Sequence, residues 1–448
     1  MLVVVFVMLT HSSWASPTCD VAPAQAAQVT GLHVHQPLNM WTAEFSNGVI
    51  VHVRHDPEIG GRVRVAINLG SGRIAESGAT RGVTDALAAA LASPTFVGIT
   101  DSERSTLLTP LSGETTTIEA IGGDDGLLLL IESPTPFVTH AMRIAHELLT
   151  DADINDATLA EHNATVASPA GFGDAYQRGL RDVMGLPRAS RSPVPAEVAR
   201  AHLAELRSSA PIEIAIVMGA TQQQGIDAAR LAIASLPPRP YPSRSSWAEV
   251  VAIDLPAMPV AIRRTHTAPQ PLAAVMRGVI SQQPADQHQR DTVHILRSLY
   301  LLGAVVDARL ARVPGVDSAS TRVNFVTPFD RAIMLSTVVV CEPSEADRIG
   351  IAIETTLRSI ATDGPTAEEL VEASEQFTAR RAEARTEPWF WPIVLAKSRW
   401  HGISLDAFAE GPESYERLTV ADIQQAASVT LIEANGIALD LHPEPDSE

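Results

Sequence analysis

Fourteen histidines and two cysteines carry the widest chemistry in this chain, and their spacing limits what they can do. His33-Val34-His35 puts two imidazoles on one side of an extended segment. That is either half a metal site or a solvated loop, since no third ligand stands nearby in sequence. His140 and His146 are six residues apart on a helical stretch. Six residues turn a helix through about 600°, so the pair diverges and cannot share a metal. Cys341 sits in a strand-like Val-Val-Val-Cys context and reads as an inert buried thiol, with a Cys19–Cys341 disulfide as the alternative. No Gly-x-Ser-x-Gly elbow and no Cys/His pairing is present. Glu387-Pro-Trp-Phe-Trp-Pro392 holds two of six tryptophans in a chain with 4% aromatics. It is either an exposed binding patch or a proline-bounded corner filled by large rings.

The element best placed to position chemistry is Asn68–Ala90. Val63, Val65, Ile67 and Leu69 alternate with Arg62, Arg64 and Asn68, which predicts a half-buried strand. A glycine-rich turn follows, and then an almost wholly apolar helix starts near Gly82.

With Asn47-Gly48 before it, Gly70-Ser71 and Glu76 in the turn, and Gly82-Val83-Thr84 opening the helix, this stretch resembles the first strand–loop–helix of the insulinase family of zinc metallopeptidases, which includes pitrilysin and the mitochondrial processing peptidase. Where that family's His-x-x-Glu-His motif would stand, this chain has Asp85-Ala86-Leu87-Ala88-Ala89. Asp85 takes the first histidine position, Ala88 the glutamate position and Ala89 the second histidine position. The motif works because two imidazoles one turn apart hold a Zn²⁺ whose bound water the glutamate deprotonates. Alanine can do neither. By the same resemblance Glu161 falls at the third-ligand place, leaving it the one weak metal candidate. Ser318 falls where active relatives place a substrate-gripping tyrosine; their accompanying arginine has no clear equivalent, with Arg312 the candidate.

In chain order, residues 1–15 read as a signal peptide: an apolar run followed by Ser13-Trp14-Ala15. Residues 16–37 read as a disordered lead-in, and Leu236–Ser246 is the clearest linker. The resemblance therefore implies an N-terminal peptidase-like domain over 38–236, a linker over 237–248, a second such domain over 249–441 and an acidic tail over 442–448. The expected class is α+β: two homologous domains, each an antiparallel sheet with helices on one face, together forming a clamshell half. Strands are expected at 249–253, 260–265, 273–280, 320–328, 332–340, 418–423 and 437–441. Helices are expected at 286–312 and 345–361, and a capping box at Thr366–Glu369 opens another.

The net charge of −19 excludes a nucleic-acid surface, and no stretch beyond the signal peptide has the length of a transmembrane helix. Lys397 is the one lysine among 33 basic residues. The function expected is that of a non-catalytic homologue, periplasmic or secreted, with no cofactor of its own. It would be the partner of an active paralogous zinc peptidase and help enclose extended peptides. The alternatives are a stand-alone peptide-binding scaffold and a metallopeptidase using Asp85, Glu161 and histidines as non-standard ligands.

Overall fold

A computed structural model describes residues 27–109, 114–134, 137–166, 171–186, 192–242, 259–267, 272–282, 289–325, 332–402, 405–411, 413–432 and 435–444. The signal peptide, Cys19, the strand expected at 249–253, and parts of the linker and acidic tail lie outside the described residues.

The first half contains strands β1 (Val29–His35), β2 (Met40–Phe45), β3 (Ile50–His55) and β4 (Val63–Leu69), then helices α1 (Val83–Leu91) and α2 (Asp101–Leu108) on either side of the two-residue β5 (Thr95–Phe96). Strands β6 (Thr117–Gly122) and β7 (Leu127–Ser133), helix α3 (Val138–Thr150) and the short β8 (Ala152–Asp153) follow. Helices α4 (Asp156–Val166), α5 (Phe172–Val183) and α6 (Ala196–Ser209), strand β9 (Ile212–Met218) and helix α7 (Gln222–Ile233) complete this half. The second half contains β10 (Val260–His266), β11 (Ala273–Gln282), α8 (Gln289–Leu310), β12 (Ala319–Phe325) and β13 (Ala332–Cys341). Helices α9 (Ala346–Asp363), α10 (Ala367–Thr386), α11 (Phe390–Ala396), α12 (Leu405–Ala409), α13 (Glu413–Glu416) and α14 (Val420–Ile432) precede the last strand, β14 (Asn435–Pro443).

The halves are topological copies. The first sheet runs β1-β2-β3-β9-β4-β7-β6 and the second β10-β14-β11-β13-β12. In each, the last strand in sequence inserts inside the sheet through one parallel pair, β3–β9 and β10–β14; the other pairings among these strands are antiparallel. The sheets are therefore antiparallel-rich with one parallel pair each. Among the described residues the extra β1–β2 strands belong to the first half alone.

Alternating side chains feed two cores per sheet. One face of the first sheet packs Val51, Val65, Ile67 and Leu129 against Leu87, Leu91, Met142 and Ile226 of its own helices. The other face carries Met40, Ala66, Leu130 and Val217, and it is covered by Trp391 and Leu395 from α11 of the second half. The second sheet reciprocates. Its own helices cover Val275, Leu335 and Val339. Its opposite face, with Ala274, Met276 and Leu439, is covered by Ala175 and Val183 of α5 from the first half. Each domain's own helices thus lie on one face of its sheet, and a helix lent by the other domain covers the opposite face.

Three expectations are corrected. Residues 29–35 of the lead-in form β1, paired antiparallel with β2. Residues 420–423, read as strand, open helix α14; Thr419 caps that helix with its hydroxyl (3.2 Å to Asp422 N) while Asp422 accepts from Thr419 N at 2.7 Å. In the linker, the Arg239 guanidinium is buried and bonds the carbonyls of Ala210 (3.0 Å) and Arg207 (2.9 Å), tying residues 237–242 to the first domain. Of the two readings of the 387–392 cluster, the packed corner holds: Trp391 is buried, flanked by the guanidiniums of Arg54 (4.6 Å) and Arg385 (5.0 Å).

Candidate functional site: a charged cleft at the start of helix α1

The turn before α1 is built to set the helix start. Gly82 has φ 91°, a left-handed conformation that favours glycine. The Glu76 carboxylate accepts from Gly82 N (2.7 Å) and Thr84 N (2.8 Å), satisfying main-chain donors that the first helical turn leaves unpaired. Asp85 then projects from the first turn into a cleft of about 530 Å³. Arg73, Asp124, His162, Asp174, Arg178 and Arg181 also line it.

An ion-pair chain organises the cleft. Arg73 grips Asp85 bidentately, with Nε 2.9 Å from Oδ2 and Nη2 2.5 Å from Oδ1. Arg73 Nη1 lies 3.3 Å from Asp124 Oδ1, an oxygen that Arg181 also bonds. Burial works against the Arg73 charge, but Asp85 and Asp124 outweigh it and hold the guanidinium above its ordinary range. Burial pushes the His162 imidazole towards its neutral form, with Asp85 opposing.

The same guanidinium reaches a sheet edge. Arg73 Nη2 donates to Gly122 O at 2.7 Å. Gly123 N bonds Gly126 O across the β6–β7 turn, so by antiparallel alternation Ile118, Ala120 and Gly122 aim their main-chain groups outward from β6. Among the described strands β6 pairs with β7 alone. The equivalent edge in the second domain, β12, has its Thr321 N–H taken by Asp307 at 2.8 Å.

Of the candidate catalytic, metal and substrate residues read from sequence, only Asp85 lines this cleft. Ala88 is buried and Ala89 half-buried, and neither offers a donor atom. Glu161 is exposed, and the α4 residues on the cleft are His162, Thr165 and Val166. Arg312 is exposed and 3.9 Å from Glu372, and Ser318 is exposed ahead of β12. His33 is exposed on β1, 3.8 Å from Glu44. His140 and His146 diverge as their spacing requires, towards Thr116 (3.3 Å) and Ala232 O (2.7 Å) respectively. Cys341 is a free, buried thiol. Among the described residues no group of three or more His, Cys, Asp or Glu is arranged to hold a metal ion. The donor set at α1 does not fit zinc: one carboxylate already neutralised by an arginine is the whole of it.

Arg73 and Asp124 carry the cleft's charge network, yet neither belongs to a recognisable motif. The signal available was local: an arginine two residues after Ser71, within the turn that leads into α1.

No protein-family model matches the sequence. No curated protein matches it either. Solved structures do. The chain is similar to the periplasmic protease PqqL from Escherichia coli, with TM-score 0.70 and 14% identity over 99% of this chain and 49% of that one. It is similar to a peptidase M16 inactive domain from Pseudomonas fluorescens, with TM-score 0.70 and 14% identity over 92% of this chain and 100% of that one. It is also similar to the ferredoxin protease FusC, solved in complex with Arabidopsis ferredoxin, with TM-score 0.68 and 13% identity over 94% of this chain and 47% of that one. The chain thus spans about half the length of PqqL and of FusC.

Proposed function

Taking the insulinase-type M16 peptidase fold as the premise, we propose that this chain is a non-catalytic half that holds extended peptides and partners an active zinc peptidase. The observation that carries this reading is the pairing at α1. The helix position that faces the cleft is an aspartate locked to Arg73, followed by Ala88 and Ala89, while the β6 edge beside it keeps outward main-chain groups. A peptide laid along Ile118–Gly122 would gain strand hydrogen bonds without meeting the paired imidazoles and glutamate that hold and deprotonate a zinc-bound water. Likeness to an inactive M16 domain over its full length favours the same reading. The apolar N-terminal run and the periplasmic setting of PqqL support export of this chain.

The test uses mature chain purified without added metal or a histidine tag. Elemental analysis is expected to find far less than one zinc per chain, and unstructured peptides are expected to bind and be recovered intact. Zinc near one per chain, with peptide cleavage abolished by a chelator, would overturn the proposal. Native complex size separates the partnered form from a stand-alone peptide binder. A heteromeric complex containing a zinc peptidase supports the former.

A further inference from the structure

The cleft belongs to the first domain by sequence, yet two of its walls are anchored in the second. One wall is α5. Asp174, Gln177, Arg178 and Arg181 lie three or four residues apart and face the cleft. Phe172 and Tyr176, on the opposite side, pack with Ala175 and Val183 on the second sheet. Asp182 pairs with Arg264 of β10, and a Cβ on Gly179 would lie 2.5 Å from Leu439 of β14. The other wall is the β6–β7 turn. Its two adjacent aspartates face opposite ways: Asp124 into the cleft, Asp125 into the segment after α11.

Asp125 is nearly buried. It is held by Lys397 Nζ at 3.3 Å and by His401 Nε2, while Trp400 Nε1 bonds its carbonyl at 3.1 Å. Burial opposes its charge, but His401 and Lys397 outweigh burial and keep the carboxylate ionised. The segment itself is fixed one step further in. The fully buried Glu213 carboxylate accepts from Ser398 Oγ (3.0 Å), Arg399 N (2.8 Å) and Trp400 N (3.1 Å), and it lies 2.8 Å from His52 Nε2. The Trp400 ring closes against Gly70, where a Cβ would approach to 2.8 Å. Asp124 then joins the two walls, bonding Arg181 of α5 and Arg73 of the α1 turn.

We infer that the second domain sets the cleft: Lys397 and His401, acting through Asp125, position Asp124 so that it bridges Arg73 and Arg181. An occupant of the cleft and the 397–401 segment are therefore coupled. Lys397 is a positioning residue, since nothing places it in the cleft itself. The proposal concerns regulation of the same site and rests on the peptide-holding reading only for its effect on peptide affinity. The coupling itself is measurable without any ligand.

The single lysine makes the test direct. Lysine-selective ¹⁵N labelling of the deuterated full chain yields one backbone amide signal, from Lys397. Asp85→Asn and Arg181→Gln lie on the far side of Asp124 and are each expected to shift that signal. Asp307→Asn, in the second domain and away from this chain of contacts, is expected to leave it in place. A Lys397 signal unmoved by both cleft variants overturns the inference, whether or not any peptide binds. If peptides bind the native chain, Lys397→Met should weaken binding about fivefold, the lower end of ordinary coupling, and Lys397→Arg should restore it. Equal affinity in all three would likewise overturn the inference. If no peptide binds the native chain, the peptide-holding reading fails, and the amide signal alone decides the coupling.

Discussion

Asp307 illustrates how one side chain sets a pH dependence. It sits under β12, accepts from Thr321 N, and burial raises its pKa to about 6 from the ordinary 3.8, against the pull of Thr321 and Arg380. The folded chain therefore keeps this proton to a higher pH than the unfolded chain does. The stabilising contribution is complete below about pH 4 and is lost as pH rises to about 6. Asp307→Asn keeps an acceptor for Thr321 N without the charge. It should remove a decline of about 1–2 kcal/mol between pH 4 and pH 7, read from denaturant unfolding at the two pH values. An unchanged difference would show that Asp307 does not titrate in this window. The same scale separates what could be read in the sequence from what could not. Asp85 and the two alanines are identifiable because they occupy numbered places in a helix whose start is marked by glycine and threonine. The α4 side chain on the cleft is His162 and not Glu161, because one residue is 100° of helix phase and phase depends on what the helix packs against.

Elements that carry their own stop and start signals were legible. The Thr366–Glu369 capping box is present as read: Thr366 Oγ1 accepts from Glu369 N (3.1 Å) and Glu369 Oε2 from Thr366 N (2.8 Å). Glu369 also takes a bidentate pair from Arg309 (2.9 and 2.8 Å), which fixes the start of α10 to the end of α8. Thr366→Ala should cost about 1 kcal/mol in unfolding free energy. A change within error would mean that the Arg309 pair alone holds the helix start. Elements whose environment is supplied by a distant segment were harder to read. Val420–Ile423 has β-compatible residues but becomes helix, because Thr419 and Asp422 cap it and Ile423 packs into the second core. The lead-in carries no strong strand pattern, yet β2 offers it an edge to pair with. The apolar stripe of α5 marks a buried face, but nothing in its spacing says that the face belongs to the other domain's sheet.

Across the whole molecule, the exchange of α5 and α11 joins the two repeats more firmly than a linker could. Trp391 is 6% exposed and sits in the core formed on the outer face of the first sheet. Trp391→Ala should cost about 3–5 kcal/mol, and it should split one unfolding transition into two as the domains lose their shared packing. A single transition at nearly native temperature would show that α11 is peripheral to domain coupling.

The insertion of β9 and β14 into the middle of their sheets has a further consequence for the order of events at the ribosome. Each sheet has its last-made strand between two strands made much earlier. Neither domain can close on partial synthesis. The first must wait for Met218, and the second must wait for the final strand, from Asn435. Until then β10 and β11 lack the strand that lies between them, and so does any fragment cut before Asn435. The covering helix α5 then has an incomplete sheet to pack on. A chain that stops before Asn435 leaves a gap inside the second sheet, where a protease or chaperone can engage it.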